Sequence, residues 1–287
     1  MLSQTSCENA TQGGIPTWPH DPSSSGADTE PTRRSIPRSS LGIAAARLPG
    51  GGFTAAWRGA DNDNRIWTAV APITTNWSRQ SLPAGAPRTE DRPALATYGS
   101  SVAMAWRGAN TDEHIWYTAQ VNAAQQPACD GKASSTHGPA LADLGDGRLL
   151  LAWKSSGGNQ RLYSATFDGH TWSEPLPGPG GSTHGPALAT TQQGTALMVW
   201  KGSGGDDRLW KSSYVNGRWS TQALAVGRSS HGPAIAKVGL GVVMVWKGVL
   251  GDERLFWSRD LRSQHEVAPG YTSANTPAIT YVDFMRL

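Results

Sequence analysis

Hydrophobic positions along this chain fall in short runs, none long enough for an ordinary helix, and glycine returns every dozen residues or so. The most informative runs are Leu149-Leu150-Leu151-Ala152-Trp153 and Ala196-Leu197-Met198-Val199-Trp200, where both alternating faces are apolar. A strand with one wet face would carry a polar residue at every other position. These segments are therefore expected to be strands covered on both sides.

The tryptophan that ends each run recurs as Trp57, Trp106, Trp153, Trp200 and Trp246, at spacings of 49, 47, 47 and 46 residues. A period in the 40s with strand-like content points to stacked or radial β units. The copy that begins at His184 shows the grammar. GPALATT is followed by a QQG turn, TALMVWK, a GSGGDD loop, RLWKSSYV, the Asn216-Gly217 dipeptide and WSTQALA. Asn-Gly between two such runs is a strong hairpin signal, because both central residues tolerate positive φ. The expected fold is all-β: a β-propeller of four-stranded antiparallel blades, with about five to six repeats of ~47 residues.

The repeats occupy residues 39–287 and are cleanest in the third and fourth copies. The second is ragged around VNAAQQPACDGKA, and the fifth replaces its closing Trp-Ser with SQHEVAPG. NTPAITYVDFMRL then opens a sixth copy, so the ring closes either on five blades or on a larger number. Residues 1–38, rich in Ser, Thr, Pro and Gly, cannot bury enough apolar surface to offset their ordering entropy and are expected to form a disordered tail. The competing expectation is that Ile15 to His20 supplies a strand that closes the ring.

Composition narrows the function classes. The 287 residues include 13 Trp, ample for a sizeable core. The net charge is only +3 with no dense Lys/Arg run, which argues against nucleic acid. No apolar stretch is long enough for a membrane span. The first residues lack the apolar core of a standard signal peptide, which leaves a cytoplasmic location or a non-classical export route. Cys7 and Cys129 stand far apart and imply neither a disulfide framework nor a zinc site.

Strand alternation places the loop before GPALA and the loop after the Trp on one face. The first carries His137, His184 and His231, with Asp91 and Asn275 in other copies. The second opens with Arg58, Arg107, Lys154, Lys201 and Lys247. Then come Asp63, Asp112, Asn159, Asp206 and Asp252, and two residues later Arg65, His114, Arg161, Arg208 and Arg254. Aromatics at Trp67, Trp116, Tyr163, Trp210 and Phe256 follow on the third strand. Carboxylate and amide acceptors, cationic donors and an aromatic face suit a pyranose, and several weak copies would give avidity.

Against this stands a structural role for the His and Asp columns as ties between strands or blades. The second-strand tryptophans are expected to be core, and Lys154, Lys201 and Lys247 to be solvated. The histidines, one per blade, are expected to lie far apart around the ring, so no metal or cofactor is implied. TFDGHTWS (166–173) resembles the sialidase Asp-box, one residue short, but no paired carboxylates for glycoside hydrolysis can be picked out. The polar residues repeat, whereas catalysis needs a singular constellation, so no enzyme is expected.

The unit HGPALA…LMVWKG…DDRLW…YVNGRWS resembles the PLL-type bacterial β-propeller lectins over about residues 41 to 287. That resemblance implies binding of fucose and related or methylated sugars between blades, glycans or glycoconjugates as partners, and assembly into homo-oligomers. Those lectins have seven blades, and this chain has fewer repeats. The expected site combines a His (His137, His184, His231), a Lys (Lys154, Lys201, Lys247), an Asp (Asp112, Asp206, Asp252), an Arg (Arg161, Arg208, Arg254) and an aromatic (Trp116, Tyr163, Trp210). The alternatives are a sialidase-like glycoside hydrolase and a propeller that binds protein partners.

Overall fold

The computed structural model describes residues 39, 41–72 and 77–279. The expected tail, with Ile15 to His20 and Cys7, and the last residues of the sixth copy lie outside the described residues. Five antiparallel sheets follow one another along the chain. Blade 1 holds β1 (Ala44–Arg47), β2 (Phe53–Arg58) and β3 (Ile66–Ala71), with bridges from Thr68 to Ser81 and Arg65 to Arg88 in the fourth place. Blade 2 holds β4 (Ala94–Tyr98), β5 (Ser101–Arg107), β6 (Ile115–Thr118) and β7 (Gln126–Pro127). Blade 3 holds β8 (Ala140–Asp143), β9 (Leu149–Lys154), β10 (Arg161–Phe167) and β11 (Leu176–Gly181). Blade 4 holds β12 (Ala187–Gln192), β13 (Thr195–Lys201), β14 (Arg208–Val215), β15 (Arg218–Trp219) and β16 (Ala223–Arg228), the last two both paired with β14. Blade 5 holds β17 (Ala234–Val238), β18 (Gly241–Lys247), β19 (Leu255–Ser258) and β20 (His265–Glu266). The chain forms a β-propeller.

Local chemistry accounts for the turns. Asn216 and Gly217 both have positive φ, 51° and 79°, as a tight hairpin between β14 and β15 requires. In the corresponding turn of blade 3, Asp168 accepts hydrogen bonds from the backbone N–H groups of His170 (2.8 Å) and Thr171 (2.7 Å). The Asp-box-like segment is thus a turn brace. Asp260 does the same for Arg262 and Ser263, both at 2.8 Å, without any glycine to advertise it.

The doubly apolar second strands pack as their pattern requires. In blades 2 to 5 the Trp-bearing face meets the preceding blade, and in blades 1 to 4 the other face meets the next. Trp200 and Met198 of β13 pack with Leu150, Ala152 and Leu162 of blade 3. Leu197, Val199 and Leu209 pack with Met244, Trp246 and Phe256 of blade 5. The same relation joins Ala56 and Ile66 to Met104 and Trp106. All five second-strand tryptophans are buried. Gly227 of β16 lies against Trp246 so closely that a β-carbon there would sit 2.5 Å from the indole, and its φ is +98°. Gly227→Ala is expected to lower stability by about 1–2 kcal/mol through both overlap and backbone strain. Chemical denaturation would read this as a lower midpoint.

The innermost strands β1, β4, β8, β12 and β17 surround an axial channel of about 420 Å³ lined largely by alanines, and Ala278 and Ile279 line it with them. At its upper end the backbones touch. A β-carbon on Gly138 would lie 2.5 Å from the Arg92 carbonyl oxygen, one on Gly185 2.4 Å from that of Gly138, and one on Gly232 2.9 Å from that of Gly185. Gly42 stands in the same relation to Thr276, at 3.0 Å. The ring thus has six axial positions, five from complete blades and the sixth from the opening of the last copy. Consistent with this, Val243, Val245 and Leu255, which face the sixth position, are only half-buried, whereas Leu197, Val199 and Leu209 are buried.

Candidate functional site

Each axial position is built on one local motif. A hydroxyl accepts a hydrogen bond from the backbone N–H two residues on: Ser39 from Leu41, Thr89 from Asp91, Ser135 from His137, Ser182 from His184, Ser229 from His231 and Ser273 from Asn275. These turns start the innermost strands, and the residue they position faces the mouth of the channel. The Ser/Thr-x-His spacing of three copies and the TED and SAN of two others were the available signal, and sequence reasoning passed over them.

The histidines are therefore neighbours. His137 and His184 have ring centroids 5.5 Å apart, and His184 and His231 are 5.3 Å apart. The expectation that they lie far apart around the ring is wrong, because their loop sits at the narrow axial end of each blade. Together with Leu41, Asp91, Arg92 and Asn275 they line a cavity of about 240 Å³. The Nδ1 atoms contact Thr136 (2.9 Å), Thr183 (2.9 Å) and Ser230 (3.0 Å). Asp91 receives the N–H groups of Arg92 (2.6 Å) and Gly138 (2.7 Å). Burial, reinforced by His137, His231 and Lys201, lowers the His184 imidazole to about 4. His137 and His231 are lowered too, again chiefly by burial. Among the described residues no group of three or more His, Cys, Asp or Glu is placed to hold a metal ion.

The lysines are not solvated as expected. Lys154, Lys201 and Lys247 are 5%, 6% and 7% exposed. Lys154 Nζ donates to Thr136 Oγ1 (2.7 Å), and Lys201 Nζ donates to Thr183 Oγ1 (3.1 Å) and to the Asp206 carbonyl (3.2 Å). Lys247 lies 3.9 Å from Glu253. Strand ends that converge beside the axial turns leave no room for a four-carbon chain to reach bulk water, so the ammonium groups of Lys154 and Lys201 cap hydroxyls and carbonyls instead.

Farther along the same loop, the carboxylate, cation and aromatic form a second, separate cluster. Asp206 accepts from Arg208 Nε (2.8 Å), Arg208 Nη2 (3.2 Å) and Trp210 Nε1 (2.8 Å), and the guanidinium lies over the Trp210 ring at 5.1 Å. Asp63, Arg65 and Trp67 repeat this arrangement, with a ring distance of 4.9 Å. Asp252 and Arg254 repeat it beneath Phe256 at 5.3 Å. In blade 2 His114 replaces the arginine, with its Nδ1 2.9 Å from Asp112, and Trp116 Nε1 donates to the same carboxylate at 2.7 Å. Blade 3 has the amide Asn159, which among the described residues accepts the Arg161 backbone N–H alone, beside Tyr163. The paired arginine holds Asp206 down at about 2, and Asp63 and Asp252 well below the usual carboxylate range. Burial opposes the shift at Asp112, which the hydrogen bonds from Trp116 and His114 still carry downward.

The five-part site expected from sequence is thus divided. The histidines gather at the axis, the lysines are buried between, and each Asp–Arg–aromatic unit is complete within its own loop. Cross-strand register pairs each of these aromatics with a core tryptophan, as Trp200 with Trp210 and Trp153 with Tyr163. Trp67, Trp116, Tyr163 and Trp210 stay half-buried and Phe256 is buried, while the arginine faces remain open to solvent, with Arg208 53% and Arg254 56% exposed.

No family model and no curated protein matches this sequence. Solved structures do resemble it. The fucose-specific lectin from Aleuria aurantia gives a TM-score of 0.58 at 12% identity over 84% of each chain, and its fold is described as a six-bladed β-propeller. AofleA from Arthrobotrys oligospora gives 0.59 at 12% identity, over 83% of this chain and 74% of that one. The α-L-arabinofuranosidase from Fusarium graminearum also gives 0.59, at 10% identity over 83% of each. What these share with the present chain is the fold. Their six-bladed member matches the six axial positions. Among the described residues no helix is long and apolar enough to cross a membrane.

Proposed function

We propose that this propeller is a multivalent carbohydrate-binding protein whose sugar sites are the repeated Asp–Arg–aromatic units, with fucose or related and methylated sugars as ligands. The observation that carries the reading is the pre-organised guanidinium. In blades 1 and 4 the aspartate holds Nε of the arginine against an aromatic ring and leaves Nη1 toward solvent, while in blade 5 Arg254 is held in the same way but its Nη1 also donates to Glu266 at 3.3 Å. A planar donor set held in advance beside an apolar ring edge matches sugar hydroxyls and a C–H face with little ordering cost. Likeness of fold to a fucose-specific lectin and to AofleA supports the same reading.

Hydrolysis is disfavoured at these units. A glycoside hydrolase needs one carboxyl kept protonated beside another that is ionised. Here the arginine partners keep Asp63, Asp206 and Asp252 ionised. The expected partners are glycans, and the expected assembly is a homo-oligomer that multiplies weak sites.

The test is a glycan array followed by calorimetric titration of the best hit. Several sugars per chain are expected, and Arg208→Ala should reduce the stoichiometry by about one while leaving the melting temperature within a few degrees. A folded protein that binds no glycan would sink this reading and favour a protein-binding scaffold.

A further inference from the structure

The axial mouth is a second polar site, independent of the sugar units and unused by them. Three imidazoles stand side by side on half of its circumference, each tethered through Nδ1 to a hydroxyl. The tether decides which nitrogen carries the proton. An ammonium only donates, so Lys154 must give a hydrogen to Thr136 Oγ1, and the only acceptor described for the Thr136 proton is His137 Nδ1. The same chain runs from Lys201 through Thr183 to His184, where Nδ1 at 2.9 Å is a nearer acceptor than the Gly202 carbonyl at 3.4 Å. At His137 and His184 Nδ1 therefore accepts and Nε2–H is left as the donor, whereas Ser230 donates to the Gly248 carbonyl at 3.0 Å, so that His231 Nδ1 donates to Ser230. Among the described hydrogen bonds none uses an Nε2 of His137, His184 or His231.

Charge points the same way. Lys154, Arg107, Lys201 and Lys247 all act on these imidazoles as cations, and each disfavours a proton there. The opposing carboxylate, Asp91, spends its two oxygens on backbone N–H groups. Glu90, also at the cavity wall, is engaged by the Asn110 N–H and by Arg58. Free N–H donors backed by buried cations, in a walled cavity, form an anion receptor. Below the mouth, the inner strands continue into the alanine-lined channel, and Arg92 borders both spaces.

We propose that the axial mouth binds one small oxyanion, held by Nε2–H of His137 and His184 with His231 beside them. A carboxylate with a narrow aliphatic body would extend that body into the channel.

The experiment titrates sodium butyrate and, separately, inorganic phosphate into the full chain, following the histidine side-chain ¹H–¹⁵N signals at neutral pH. The expected result is saturable movement of the His137, His184 and His231 signals at one anion per chain, with Nε2–H tautomers at His137 and His184. His184→Ala should weaken binding about tenfold or more, as loss of a hydrogen bond to a charged group does, whereas His170→Ala, in an exposed turn, and Arg208→Ala should not. Tighter binding of butyrate than phosphate would show that the channel takes part, and equal binding would confine the site to its mouth. No movement with either probe at millimolar concentration would overturn the proposal. An Nδ1–H tautomer at His137 and His184 in the unsubstituted protein would overturn it as well, whether or not the variant folds. Glycan binding would be untouched by these failures, so the sugar reading and this one fall separately.

Discussion

Trp200→Ala is expected to destabilise the propeller by about 3–5 kcal/mol, the range for removing a large buried aromatic from a close-packed site. Trp200 has no exposed surface. It fills the contact between blades 3 and 4 with Leu150, Ala152, Leu162 and Met198 around it, and Gly180 of β11 packs against its ring from the preceding blade. The cavity cannot collapse easily, because both walls are sheets whose positions are set by their own hydrogen bonds. Equilibrium denaturation should show the midpoint falling with the slope unchanged. Trp77→Ala, at a position 51% exposed, is the control and should change stability by less than about 0.5 kcal/mol. A Trp200 variant as stable as the control would mean that the blade contact is not the principal core.

Much of this architecture was legible because it is repeated. A single LMVW run is ambiguous between a buried strand and a piece of helix, but five such runs at nearly equal spacing share only one physical solution. The Asn216-Gly217 turn was readable for a local reason, since few dipeptides accept two positive φ values. The ragged segments were also signalled, and β7 and β20 are two residues each where the pattern fails. The blade count was not legible. It depends on whether the Asn275–Ile279 segment stacks between blades 5 and 1, and that follows from the angle between sheets, to which no single residue testifies.

The functional face was legible in content but not in grouping. Sequence spacing put His184, Lys201, Asp206, Arg208 and Trp210 on one side of the ring, and they are there. It could not say that the loop divides them, because a few residues separate the axis from the outer edge of a blade. Two internal regularities would have helped. At the axial position histidine occurs only in the copies whose second strand ends in Lys, never in those ending in Arg58 or Arg107, as the Lys–hydroxyl–His chains of Lys154 and Lys201 require. Glycine follows the Lys or Arg in every copy that has Asp five residues after that cation, and blade 3, with Ser155, has Asn159 instead. A β-carbon at Gly202 would lie 2.5 Å from Asp206. That glycine marks a carboxylate folded back on its own loop, and so an Asp–Arg–aromatic unit closed on itself.

The clustered histidines give the second large effect, a loss of stability in mild acid. An unfolded histidine titrates near 6.5, whereas His184 in the fold titrates at about 4, chiefly because burial disfavours its charged form. Between those values the unfolded chain binds a proton that the folded one refuses, so stability is full above about pH 6.5 and falls as pH drops toward 4. For His184 the loss is on the order of 2 kcal/mol once partial solvent screening is allowed for, and His137 and His231 add to it in the same direction. Asp63, Asp206 and Asp252 also lose their arginine partnerships in acid, but only below the ordinary carboxylate value of 3.8, so the two windows separate. Denaturation midpoints between pH 7.5 and 4.5 should therefore decline steadily, and His184→Gln, which cannot take up a proton, should flatten the decline. A flat profile in the unsubstituted protein would mean that the three imidazoles reach solvent freely. A decline that begins only below pH 4 would place the acid sensitivity in the carboxylates of the rim.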